Sequence, residues 1–400
     1  MQPNTVRLQA TPSTGMYDVP FISTVSGLRP GEQATLRLDT AAADGTDWTS
    51  QAEFIADEHG GFNTRQVPSA GDYRAADPMG LTETLTPGRL GASFIGPTPL
   101  VMTESVQVDG RTVATTTLTR LLPSGAGVTR TQLRPASGGL YADMFQPKRS
   151  ATTSRTAVLV IGGSEGGNAG SSIVAAALAS RGYPALSLAY FHEPGLPTNL
   201  ERIPLEYFRS AITKLAAQPG VDPHRIVLWG DSRGSEAALL TAAHFPDQVH
   251  AVIASVPGAE ATPGLPDRSA PAWTLSEQPV PTAPAADSLK QSSTSPATIP
   301  VENITGPILL ICGGHDEVWS SCPNSTTINA RLTEHDRTPA QLLNYPDAGH
   351  LVGFAAPYIP STATSATTAD GQNLLTGGSY QADQAARADA WPKILAFLSS

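Results

Sequence analysis

Three stretches of unbroken apolar sequence set the strongest limit on how this chain can fold: Val158-Leu159-Val160-Ile161, Ile226-Val227-Leu228-Trp229 and Ile308 to Cys312. A strand that is apolar at every position has to be covered on both faces, which is the situation of a parallel sheet clothed by helices. Helical segments fall between them. Ser171 to Arg181 is closed by Gly182. Leu205, Phe208, Ile212 and Leu215 recur at helical spacing within about Leu200 to Gln218 and stop at Pro219-Gly220. Ser235 to His244 makes a further helix, and Trp391, Leu395 and Leu398 share a face near the end. With further strands at Ala185–Tyr190, Ala251–Val256 and Gln341–Tyr345, the strand–helix alternation predicts a mostly parallel sheet with helices on both sides.

Before about residue 146 the pattern is different. Ala34, Leu36 and Leu38 alternate with Thr35 and Arg37 after Arg29-Pro30-Gly31, and a second strand runs from Trp48 to Ala56 after Asp44-Gly45. Asp109-Gly110 separates two β-rich runs and readily supplies the positive φ angles of a tight hairpin. Val128–Leu133 and Leu140–Phe145 add two short strands, and no helix-period segment interrupts them. The expectation is a two-domain α/β protein. An immunoglobulin-like β-sandwich spans residues 1–145 and an α/β catalytic domain spans 146–400. At 400 residues the chain is long enough for two domains.

Residues 259–300 break the rhythm of the second domain. They are rich in Pro, Ala, Ser and Thr, lie between two sheet strands, and read either as a cap-like insertion over a site or as a surface loop. Charge narrows the partners. Lys and Arg total 25 against 35 Asp and Glu, a net charge of −10. Such a chain is a poor match for nucleic acid or an anionic membrane. No apolar run reaches membrane-span length, and no export signal opens the sequence. The two cysteines, Cys312 and Cys322, exclude a disulfide scaffold and a four-cysteine metal site. These observations together predict a cytoplasmic protein with both cysteines free, Cys312 inert through burial, and neither a metal nor a cofactor.

Gly230-Asp231-Ser232-Arg233-Gly234 carries the chemistry. The five residues match G-x-S-x-G, and their setting, a buried strand ending at Trp229 followed directly by a helix, is the strand–turn–helix context of a nucleophile elbow. The Arg233 N–H, at the helix start, points to the same spot as the serine hydroxyl. A serine hydroxyl needs a base. Of eight histidines, His350 lies in a loop after a late strand and His315 stands beside Asp316 after another. The chain order Ser232, Asp316, His350 is that of α/β-hydrolases. It makes His350 the base and Asp316 its orienting acid, with Glu317 and Asp347 as rivals for the acid. Gly162-Gly163-Ser164-Glu165-Gly166-Gly167 follows an early strand, where a second oxyanion donor is needed. The N–H comes from Ser164 or Glu165. This glycine run lacks the register of a dinucleotide fingerprint and the G-K-[ST] ending of a phosphate loop.

Several motifs then resemble one α/β-hydrolase family, the type I acyl-CoA thioesterases and bile acid-CoA:amino acid N-acyltransferase. They are Gly162–Gly167, Leu188-Ala189-Tyr190-Phe191, Ile203-Pro204-Leu205-Glu206-Tyr207-Phe208, Ile299-Pro300-Val301-Glu302, Gly313 to Trp319 and Tyr345 to His350. The β-rich half is similar more loosely, through Val25 to Gly31 and Pro78 to Leu81. The resemblance implies an acyl-enzyme mechanism on a small-molecule acyl thioester of coenzyme A or a carrier thiol. By position it implies nucleophile, acid and base at Ser232, Asp316 and His350. The transferase of that family has cysteine where this chain has Ser232, and residues 259–300 bear little likeness to it. Hydrolysis is therefore the leading expectation, with acyl transfer to an amine or alcohol, or carboxylester hydrolysis, as alternatives.

Overall fold

The computed structural model describes residues 5–89, 99–121, 127–135, 139–148, 155–283, 295–353, 357–359 and 365–400. The chain divides into two compact units, one of Met1–Ala126 with Pro357–Ala363 and one of Gly127–Ala356 with Thr364–Ser400.

The first unit is β-rich. A seven-stranded sheet is built around Leu100–Val108, Arg111–Leu121, Gln33–Ala41 and Asp47–Ile55, and a three-stranded sheet holds Arg7–Thr11, Ile22–Ser26 and Phe62–Asn63. Alternation decides which face is buried. Ala34, Leu36 and Leu38 on one strand, with Trp48, Ala52 and Phe54 on the next, point into the core, while the residues between them face outward or are half-buried. Phe54 stacks on Phe62 with ring centroids 4.6 Å apart. At the expected hairpin, Asp109 and Gly110 have φ of 51° and 73°, which brings Arg111 opposite Val108.

The second unit is an α/β-hydrolase-like fold. Its eight-stranded sheet runs in the order Val128–Leu133, Tyr141–Pro147, Ala185–Ala189, Arg155–Ile161, Val221–Asp231, Ala251–Ser255, Ile308–Gly313, Gln341–Tyr345. The six strands from Ala185–Ala189 onward are parallel, and the first two are antiparallel. Each unbroken apolar run of the sequence is a central strand, buried at Ala157–Ile161, Ile226–Gly230 and Ile308–Gly313. Strand Arg155–Ile161 has Ala185–Ala189 on one side and Val221–Asp231 on the other, so the order reverses there. A crevice opens beyond the carboxyl ends of strands at such a switch point.

Two expectations change. The division between the units falls near residue 126, not at 145/146. Val128–Leu133 and Tyr141–Pro147 form the antiparallel edge of the eight-stranded sheet, where Tyr141–Phe145 pair with Ala185–Ala189. Short antiparallel strands read alike in either sheet, so their pattern does not tell which one they join. The second change concerns the cysteines. Cys312 and Cys322 form a disulfide, with Cα atoms 5.0 Å apart, rather than two free thiols. Cys312 lies in strand Ile308–Gly313 and Cys322 in the first turn of helix Ser321–Glu334, and the loop between them folds back to bring both together. Disulfides persist in oxidising surroundings, so a cytoplasmic setting no longer follows from the cysteines. Among the described residues no helix is long and apolar enough to cross a membrane, and no cluster of His, Cys, Asp or Glu is arranged to hold a metal.

The disulfide is checked by thiol titration of the denatured protein. The expected result is no reactive thiol before reduction and two after it. Two thiols without reductant would restore the free-cysteine reading.

Candidate active site

The site is built on the tightest turn of the sheet. Strand Val221–Asp231 ends, Ser232 takes φ 53° and ψ −119°, and helix Arg233–His244 starts at the next residue. Positive φ in a residue with a side chain is strained and persists only where the surroundings enforce it. Here the enforcement is close packing. A Cβ on Gly230 would lie 2.0 Å from the Gly234 carbonyl oxygen, and one on Gly234 would lie 2.3 Å from that of Ile161. The Ser232 N–H donates to Ser255 O at 3.1 Å, and the Ser232 carbonyl accepts from the N–H and hydroxyl of Ser235. The strand, the neighbouring strand and the helix thus fix the serine from three sides.

Three side chains from three separate loops meet there. Ser232 Oγ is 2.9 Å from His350 Nε2, and His350 Nδ1 is 3.0 and 2.9 Å from the two oxygens of Asp316. The carboxylate is held in turn by the N–H groups of Val318 and Trp319, at 3.0 and 3.2 Å from its Oδ1. His350 is fixed by its own N–H to Thr376 O at 2.7 Å, while Trp319 sets its ring edge-on at 5.9 Å. The structure brings together the three residues singled out from sequence. It leaves His315, Glu317 and Asp347 exposed and without a hydrogen bond to His350.

The glycine run 162–167 closes over the same point. A Cβ on Gly163 would be 3.1 Å from that of Ser232. The backbone N–H groups of Ser164 and Arg233 have no hydrogen-bond partner among the described residues. The Glu165 carboxylate, by contrast, accepts from Gly163 N–H at 3.1 Å and interacts with its own backbone N–H. Of the two alternatives in that loop, Ser164 is therefore the one with a free donor.

Carboxyl groups crowd the imidazole. Burial works to lower the His350 pKa. The Asp316 hydrogen bond and charge, with the charges of Asp231 and Glu165, act the other way and prevail, so it is raised above the ordinary value. Asp231, the residue before Ser232, is pushed up to about 7, chiefly by burial. One of its oxygens is buried without a hydrogen-bond partner, pressed against Gly353, where a Cβ would sit 1.7 Å from it. Burial also raises Glu165.

Sequence reasoning treated Glu236 only as a helix former and did not single out Trp273, Trp319 or Asp231. Glu236 is fully buried and is the centre of a polar knot: Trp273 Nε1 donates to it at 3.0 Å, Thr262 Oγ1 at 2.7 Å, and the Arg233 guanidinium lies at 3.3 Å. Arg233 also donates to the carbonyls of Pro263 and Thr262 at 2.9 and 3.0 Å. A buried carboxylate and guanidinium each need such partners. The signal available in sequence was their spacing of three on one helix.

This knot ties down the front part of the 259–300 insertion. Ala259, Ala261, Ala272 and Trp273 are core residues, and Thr262–Leu265 line a cleft of about 120 Å³ that holds Ser232, Ser164, Val318, Trp319 and Leu374. Thr262–Leu265 and Arg268 thus form a wall of the site; 284–294 lie outside the described residues.

Residues 203–400 match the family model described as BAAT / Acyl-CoA thioester hydrolase C terminal, and residues 18–135 match Acyl-CoA thioester hydrolase/BAAT N-terminal region. Acyl-coenzyme A amino acid N-acyltransferase 1 of Mus musculus is 28% identical over 98% of this chain and 97% of its own length. Acyl-coenzyme A thioesterase 1 of Rattus norvegicus is 28% identical over 95% and 93%. A crystal structure from Klebsiella pneumoniae subsp. pneumoniae, proposed to be a dienelactone hydrolase, covers 68% of this chain and 98% of its own. Its TM-score is 0.46 at 18% identity.

The elbow packing predicts the effect of one methyl group. Gly234→Ala is expected to cost about 1–3 kcal/mol, as overpacking does, and to abolish labelling of Ser232 by a fluorophosphonate. A variant with parental melting temperature and parental labelling would show that the turn tolerates the methyl.

Proposed function

The chain belongs to the acyl-CoA thioester hydrolase/BAAT family, and from that premise we propose that it is a serine hydrolase of acyl thioesters. The observation that carries this reading is the continuous hydrogen-bonded series Ser232–His350–Asp316, with the serine held at positive φ on an elbow. In the proposed reaction Ser232 Oγ attacks the thioester carbonyl while His350 takes its proton. The Arg233 and Ser164 N–H groups donate hydrogen bonds to the developing oxyanion, and their freedom from other partners supports that role. The thiol of coenzyme A or of an acyl carrier leaves with the proton, and His350 then activates water against the acyl-enzyme. Asp316 stabilises the imidazolium and fixes its tautomer. In this reading the β-rich unit is an immunoglobulin-like sandwich.

A second reading is acyl transfer to an amine or alcohol, and an amino acid N-acyltransferase is among the relatives; carboxylester hydrolysis is a third. One observation weighs against an amino-acid acceptor clamped by Arg233. That guanidinium is already engaged by Glu236, two carbonyls and the Trp273 ring.

The test is an acyl-CoA substrate with free thiol and free acid both measured, with and without glycine or other amines. The expected product is mainly free acid. Ser232→Ala is expected to lower turnover by several orders of magnitude and to lose fluorophosphonate labelling. A dominant amide or ester would make the enzyme a transferase, and equal labelling of both proteins would remove Ser232 as nucleophile.

The pH profile follows from the environment of His350. The base works as neutral imidazole and is lost as pH falls through its pKa. Because that pKa is raised, the acid limb of kcat/KM is expected to have its midpoint above the ordinary value of about 6.5. Asp316→Asn removes the largest raising influence and leaves burial, so the midpoint should move down while turnover falls on the order of 10⁴-fold. An unchanged midpoint in that variant would show that another group sets the limb.

A further inference from the structure

The cleft that holds Ser232 contains two cations, and they differ in one respect. Arg233 is buried and neutralised by Glu236. Arg268 lines the same cleft, is exposed, and has no ion pair or hydrogen bond among the described residues. Its neighbours do not compensate it. The Asp267 carboxylate accepts from Ser269 N–H at 2.8 Å and Ser269 Oγ at 2.6 Å, and it interacts electrostatically with Arg202.

The backbone that presents Arg268 is pinned. Gly264 N–H donates to Ala270 O at 2.8 Å and Ala270 N–H to Asp267 O at 3.1 Å. Leu265 and Leu200 exchange N–H···O bonds at 3.1 Å in both directions, and Asp267 N–H reaches Glu201 Oε1 at 3.3 Å. Just before this turn, Thr262 and Pro263 are fastened to Arg233 and Glu236. The guanidinium therefore sits at the tip of a stapled turn whose other end is the wall beside the nucleophile.

The rest of the cleft is largely apolar, with Leu265, Val318, Trp319 and Leu374 around Ser232. The whole chain carries a net charge of −10, which repels an anionic substrate at long range. An uncompensated guanidinium at the cleft opposes this field locally, and a planar guanidinium suits a carboxylate or phosphate.

Resting on the thioester reading above, we propose that Arg268 is a specificity residue that binds an anionic group of the substrate at the mouth of the Ser232 cleft. Two parts of an acyl thioester can supply that anion: a phosphate of the thiol carrier, or a carboxylate at the far end of the acyl chain. Arg268 contributes to binding and takes no part in the bond changes at Ser232.

The experiment compares the parent with Arg268→Ala, Arg268→Lys and Arg268→Glu on three thioesters. They are a short neutral acyl thioester of N-acetylcysteamine, the same acyl group on coenzyme A, and an ω-carboxyacyl thioester of N-acetylcysteamine. For Arg268→Ala the loss on an anionic substrate should exceed the loss on the neutral one by about tenfold or more. This matches the loss of a charge-assisted hydrogen bond, and it should appear in KM rather than kcat. Arg268→Lys should recover part of the loss and Arg268→Glu should deepen it. A loss confined to the coenzyme A ester assigns the phosphate, and one confined to the ω-carboxyacyl ester assigns the acyl carboxylate. Equal effects on all three substrates, or none, would overturn the proposal while leaving the thioester reading intact. A parent that cleaves none of the three would overturn both.

Discussion

The close approach of Gly230 and Gly234 is the constraint on which the site depends. With no side chain at either position, helix Arg233–His244 starts against the carbonyls of Ile161 and Gly162, and strand Val221–Asp231 ends under the helix's own first turn. That contact forces Ser232 into positive φ and aims its hydroxyl outward. It also sets the Arg233 N–H beside the Gly162–Gly167 loop. The strain at one residue is carried by a sheet whose central strands are buried on both faces.

A second constraint acts on the same helix. Helix Arg233–His244 buries a carboxylate and a guanidinium three residues apart, and neither could remain charged in the core alone. Their partners are Thr262, Pro263 and Trp273, so satisfying the pair fixes the segment that walls the cleft. Trp273 extends the knot into the core through Tyr190 and Phe208, whose rings lie 5.8 and 6.0 Å from it. Tyr190 in turn donates to the carbonyls of Gly162 and Gly163. The cleft wall, the Gly162–Gly167 loop and helix Arg233–His244 are thus one connected structure.

Much of this was legible in the residues. Apolar runs at 158–161, 226–229 and 308–312 marked central strands because a strand covered on both faces has no polar position to show. Asp109-Gly110 marked a hairpin because few other pairs accept two positive φ angles. Ser232, Asp316 and His350 were selected by order and by position after strands, and they are hydrogen bonded in series. The misreadings have a common cause. By pattern alone Val128–Leu133 and Leu140–Phe145 group with the β-rich unit, and Cys312 and Cys322 read as separate thiols. In each case the answer lies in a partner remote in sequence or around a turn, which periodicity does not encode. The last helix shows a smaller version: Ile394 takes a fully buried place on its inner face, whereas Leu395 is only half-buried.

The sequence by itself determined the kind of sheet, the place of the elbow and the residue types able to run acyl transfer, because each depends on local rules: burial on two faces, backbone freedom at glycine, and a hydroxyl, an imidazole and a carboxylate at strand ends. Only the tertiary structure decided which loop amide is free, which arginine is neutralised and which is open, and how many carboxyl groups face His350. Charge compensation and hydrogen bonding act through space over a few ångströms, and the chain brings together there residues separated by tens to more than a hundred positions.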